Sequence, residues 1–133
     1  MNSYICAIAS DDGINYTDTH FGDAKFYILY EITALSGEFI KTISNTTKHD
    51  NEDVHADPIK AGSVVQILKK KNVRVVAAGV FGPNIKRIKT KFACLLMDQG
   101  SISNSIPHII NNYIAITEEW NKGEKRSFLN LKK

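Results

Sequence analysis

The sequence predicts an α/β fold, a mixed five-stranded sheet in the order 3-2-1-4-5 flanked by helices. Three observations carry that expectation. The first third of the chain holds three runs rich in apolar, β-branched and aromatic residues, separated by turn residues and without helical periodicity. The second half alternates strand-like and helix-like segments, which demands parallel pairing through right-handed crossovers. At 133 residues and 43% hydrophobic content, the chain is one domain of ordinary size, large enough to bury a core.

Each element has its own warrant. Tyr4-Ile5-Cys6-Ala7-Ile8-Ala9 is a nearly continuous apolar run, as a strand buried on both faces requires. Ser10-Asp11-Asp12-Gly13 ends it with turn chemistry. Phe26-Tyr27-Ile28-Leu29-Tyr30-Glu31-Ile32 is the second strand, and Ser36-Gly37 turns the chain into a third, Glu38-Phe39-Ile40-Lys41-Thr42-Ile43. That third run alternates poorly and suits an edge, so the three form an antiparallel meander. Asp57-Pro58 opens a helix, with Asp as N-cap and Pro at the first helical position. Ala61, Val64, Val65, Ile67 and Leu68 give it an apolar stripe, and Lys69, Lys70 and Lys71 close it where the helix dipole favours cations.

Val73-Arg74-Val75-Val76-Ala77-Ala78 is the fourth strand, and Gly79-Val80-Phe81-Gly82-Pro83 a tight turn into a short helix marked by Ile85 and Ile88. Phe92-Ala93-Cys94-Leu95-Leu96-Met97 is the fifth strand. A last helical pattern runs through Ile102, Ile106, Ile109, Ile110 and Tyr113, and Pro107 is expected to bend or restart it. The sum is a three-layer, ribonuclease-H-like arrangement. Residues 1–117 form the domain, and residues 118–133, with weak periodicity, form a C-terminal tail or an added terminal element.

Composition removes several function classes. No apolar run reaches the ~20 residues that cross a bilayer, and no basic segment followed by an apolar one marks a signal peptide. A cytoplasmic protein without a membrane partner is expected. Of 17 basic and 14 acidic residues, five and three fall from Glu118 onward, so the rest of the chain stands at twelve against eleven. That balance offers no basic face for nucleic acid. Cys6 and Cys94 sit in apolar runs outside any C-x-x-C pair, which excludes an all-cysteine zinc or iron–sulfur site within one chain.

The segment between the first two strands, residues 10–25, is too long for a hairpin, which needs two to five residues. Long connections in compact domains are more often functional than not. His20 is the residue in it best able to bind a metal or move a proton, and Gly22 beside it would let backbone approach a bulky ligand.

Four landmarks taken together resemble the dinitrogenase iron–molybdenum cofactor biosynthesis family. They are Ile8-Ala9-Ser10-Asp11-Asp12-Gly13, Thr19-His20-Phe21-Gly22-Asp23-Ala24-Lys25-Phe26, Ala78-Gly79-Val80-Phe81-Gly82-Pro83 and Gly100-Ser101-Ile102. The resemblance spans roughly residues 4–116, and His-Phe-Gly is its most specific part. It implies a non-catalytic carrier or accessory protein that binds an iron–sulfur or iron–molybdenum cofactor precursor and passes it to metal-cluster assembly or acceptor proteins. The implied cofactor-binding set is Asp12, His20, Phe21, Gly22, Gly79 and Gly82, with His20, His49 and His55 as metal ligands. The family's His- and Cys-rich segment before the first helix is represented here by His49 and His55 with no cysteine. One principal histidine under-ligates a cluster, so a homodimer sharing one site is also expected.

Two rivals follow from the residues. One is a protein–protein or regulatory module that kept the fold without the cofactor. The other is a metal-dependent nuclease using Asp11 and Asp12, which needs further carboxylates such as Glu31 or Asp98 to converge on them.

Overall fold

In a computed structural model, residues 2–46 and 58–133 are described, without the side chains of residues 58–62. His49, His55 and the expected cap Asp57 lie outside them. Strand β1 (Ser3–Ser10) is central, pairing antiparallel with β2 (Phe26–Thr33), which pairs antiparallel with β3 (Gly37–Ser44). On its other side β1 pairs parallel with β4 (Val73–Ala78), and β4 with β5 (Ala93–Leu96). The α-helices among the described residues are α1 (Pro58–Lys70), α2 (Ile85–Ile88), α3 (Ile102–Asn111) and α4 (Tyr113–Asn121).

The expected count of five strands needs correction. Phe128–Asn130 forms β6, parallel to β5, and the sheet is six-stranded in the order β3-β2-β1-β4-β5-β6. Three residues are too few for a period-2 pattern to show, and the segment is strand only because β5 offers it an edge. Arg126 holds the approach, its side chain donating to the carbonyl oxygens of Trp120 and Thr90, both at 3.0 Å.

The inner strands β1, β4 and β5 are buried on both faces. Tyr4, Cys6, Ile8, Val75, Ala77 and Leu95 meet Ile102, Ile106, Ile109 and Ile116 of α3 and α4. Ala7, Ala9, Val76, Ala78 and Cys94 on the reverse face meet Val64 and Leu68 of α1 with Phe81, Ile88 and Phe92. This alternation produces the three layers and explains why β1 reads as continuously apolar.

The last helix restarts, but not at Pro107. Pro107 lies inside α3, and the break falls at Asn112, where φ is −101° and ψ 16°. Pro107 and Ser103, four residues before it, are both exposed, so water is available to the carbonyl that loses its donor.

Tyr4 stacks on Tyr113 with ring centroids 5.5 Å apart, yet its Oη is buried without a hydrogen-bond partner among the described residues. Burying an unpaired hydroxyl costs about 1–3 kcal/mol. Tyr4→Phe keeps the stack and removes the orphan, so thermal unfolding should show a melting temperature raised by a few degrees; a lowered one would contradict this account.

Candidate functional site

The connection after β1 is a pinned structure. Ser10 Oγ donates to the Asn15 carbonyl at 2.6 Å and accepts from the Gly13 amide at 2.9 Å. Asp12 Oδ1 accepts from the Ile14 and Asn15 amides, both at 2.8 Å, and Oδ2 from Asn15 Nδ2 at 3.0 Å. These donors hold the Asp12 carboxyl at about 2, well below its ordinary range. Asp11 ties the far end, accepting from the Lys25 amide at 2.9 Å and from Thr17 Oγ1 at 2.8 Å. The Tyr16 amide donates to the Gly100 carbonyl and the Ile102 amide to the Ile14 carbonyl, both at 2.9 Å, which lays the connection along the start of α3.

Its second half is anchored by Phe21, wholly buried within 5.0 Å of the Tyr27 ring and 5.4 Å of the Phe81 ring. The Phe21 amide donates to the Val80 carbonyl at 2.9 Å, and its own carbonyl accepts from Tyr27 Oη at 2.8 Å. Asn45 donates to the carbonyls of Gly22 and Ala24 at 2.9 and 2.8 Å. The long connection and the turn after β4 are thereby locked into one rim, where the sheet ends and α2 begins.

His20 sits on that rim, immediately before the short 3-10 turn Phe21–Asp23. Its side chain is 37% exposed, and Nδ1 lies 3.9 Å from Asp23 Oδ2. The ring rests on Gly82, where φ is +77°. A Cβ built there would stand 2.6 Å from His20 Nδ1 and 2.7 Å from Cγ. Gly82 is thus glycine for two reasons, its left-handed backbone and the imidazole against its Cα. Among the described residues, nothing lies within 4 Å of a Cβ built on Gly22.

The expected site residues therefore divide. His20, Gly22 and Gly82 share the rim. Phe21 cannot touch a ligand there, because it is spent on the core; an aromatic next to a histidine reads the same in sequence whether it lines a site or seats it. Gly79 is buried with the Gln99 side chain packed where a Cβ would be. The Asp12 carboxylate is engaged by the amides of its own turn. Asp23 and Asn45 were missed: Asp23 is signalled only by its three-residue spacing from His20, and Asn45 by nothing local.

The carboxylates of the nuclease reading do not converge. Glu31 pairs in register with Ile5 while Ser10 pairs with Phe26, which puts Glu31 about 16 Å along the sheet from the acidic turn. Asp98 accepts from the Lys133 amide at 2.9 Å. Among the described residues, no three His, Cys, Asp or Glu side chains group to hold a metal ion. Cys6 and Cys94 are buried, and burial pushes both thiols up, Cys94 to about 12, so neither supplies a thiolate near neutral pH. The Gly79-to-Pro83 turn leads into a helix of only four residues, Ile85–Ile88. No described helix is long and apolar enough to cross a membrane.

The family model for dinitrogenase iron–molybdenum cofactor matches residues 2–114. A solved structure from Methanocaldococcus jannaschii, provisionally named a dinitrogenase, aligns over 86% of this chain and 91% of its own, with 19% identity and a TM-score of 0.49. No curated protein matches the chain significantly.

Gly82→Ala should cost about 2 kcal/mol or more in denaturant unfolding, from the left-handed backbone and the displaced imidazole. Gly22→Ala should stay within about 0.5 kcal/mol; equal effects would refute the packing described here. The depressed Asp12 pKa gives the acidic turn a pH signature. Its hold is complete above the ordinary value of 3.8 and is lost as pH falls toward about 2. Protection of the Ile14 and Asn15 amides, measured as exchange relative to an unstructured chain at the same pH, should fall over that window in the wild type and be low throughout in Asp12→Ala.

Proposed function

Because this chain belongs to the dinitrogenase iron–molybdenum cofactor family, we propose that it is a non-catalytic carrier. Its cargo is an iron–sulfur or iron–molybdenum cofactor precursor, taken up at the His20 rim and passed to a metal-cluster assembly or acceptor protein. The observation that carries this reading is a histidine on a pinned rim, over a third exposed, beside a Gly22 whose Cβ position no described residue approaches within 4 Å.

The donor set fits attachment better than permanent residence. His20 offers one imidazole nitrogen, and the Asp23 carboxylate stands near enough to Nδ1 to bias which nitrogen is available. No thiolate is within reach, since both cysteines are buried. A cluster held by one imidazole keeps its other positions for sulfide, for a second copy of the chain or for the acceptor's own ligands. His49 and His55 are further imidazoles of the chain that would add to this set. A weak, one-sided grip suits a protein that must let go.

The missing thiolates equally favour a second reading, an interaction or regulatory module of the same fold that carries no cofactor. Anaerobic reconstitution with iron and sulfide separates the two. Wild-type protein should acquire the broad visible absorption of a bound cluster, Cys94→Ala should match it, and His20→Ala should lose most of it. Identical, featureless spectra for wild type and His20→Ala would favour the cofactor-free module.

A further inference from the structure

At the opposite end of the sheet from His20, a cavity of about 390 Å³ opens where β1 and β4 begin. Ser3, Glu31, Lys69, Asn72, Arg74 and Trp120 are among its lining residues. Two backbone irregularities meet there. Ile5 pairs with Val73 and the next residue, Cys6, with Val75, so Arg74 is an extra residue bulged out of the ladder. Bulges of this kind re-aim a side chain. Asn72, between α1 and β4, has φ +62°, the only non-glycine residue in the left-handed region among those described.

Positive charge gathers at the same place. Around the Trp120 ring stand Arg126 Cζ at 4.1 Å, Lys69 Nζ at 5.4 Å and Arg74 Cζ at 5.7 Å. Burial, then the nearness of Arg126, Lys91 and Arg74, pushes the Lys69 pKa down. The buried carboxylate of Glu119, which accepts from Lys122 Nζ at 3.1 Å and the Ser127 amide at 2.9 Å, favours the charged form of Arg126. Arg126 and Lys69 are steadied by carbonyls of residues 90, 91 and 120. Arg74 has no ion-pair partner within 4 Å among the described residues.

From the cavity, the bulged Arg74 and the cations around Trp120, we infer that this end of the sheet binds a sugar phosphate. Arg74 and Lys69 hold the phosphate dianion, since a guanidinium matches two phosphate oxygens at once and an ammonium adds a point charge. The indole gives the carbon skeleton an apolar wall. Glu31 accepts from sugar hydroxyls, and Asn72 both donates and accepts. The volume is near the lower bound of small-molecule sites, about 300–1,000 Å³, and larger than a bare phosphate requires. The site is independent of the His20 rim, and neither reading depends on the other.

Trp120 is the chain's single tryptophan, so its emission reports on this cavity alone. Wild-type protein titrated with ribose 5-phosphate should show a saturable change in emission, confirmed by calorimetry, with a Kd of about 0.1 mM or tighter. Inorganic phosphate and ribose should each bind at least about tenfold more weakly. Arg74→Gln should weaken ribose 5-phosphate about tenfold or more, while Lys86→Gln, the same charge change on α2, should leave it unaltered. No saturable binding of ribose 5-phosphate by either method would overturn the inference. So would wild-type affinity in Arg74→Gln, or equal affinity for inorganic phosphate or for ribose.

Discussion

The Phe21 side chain, wedged between Tyr27 and Phe81, is the contact on which the candidate site depends. One wholly buried ring joins two segments about sixty residues apart in sequence, the connection after β1 and the turn after β4. Its amide and carbonyl are taken by Val80 and Tyr27, so the backbone on either side is fixed as well. His20 inherits its position from that wedge. The imidazole rests on Gly82 because its neighbour is locked into the core.

Rigidity of this kind bears on ligand exchange. A histidine on a mobile loop would spend side-chain and backbone entropy each time it took a ligand, whereas this one has spent most of it in folding. The protein contributes few donors, and what it contributes is already in place. In the carrier proposed above, affinity would be modest while capture and release would need no rearrangement, as a transfer protein requires.

Much of the fold is legible in the sequence. Apolar runs in β1 and β4 report burial on both faces, Ser36-Gly37 reports the hairpin, and strand–helix alternation reports the parallel half. Two features escape because they are set by tertiary context. Phe128–Asn130 becomes strand only when β5 presents an edge, and Pro107 is tolerated because its side of α3 faces water. At the site, His20 and Gly82 stand out by residue type, and the exposure of one and the positive φ of the other give that type its meaning. Phe21, Gly79 and Asp12 stand out equally, yet their side chains or their space are committed to packing and to the acidic turn. Sequence marks residues that are unusual; it does not say whether the oddity serves a ligand or the chain itself.

The margins of the sheet limit how two copies could meet. β3, at one margin, is bulged at Ile40, because Leu29 pairs with Lys41 and the next residue, Tyr30, with Phe39. β6, at the other, is three residues long. A kinked border and a stub are both poor templates for a visiting strand. Growth of the sheet from one molecule into the next is disfavoured on both sides, and the chain is guarded against runaway stacking. A pair that pooled its imidazoles would have to join rim to rim, leaving each sheet to end where it does now.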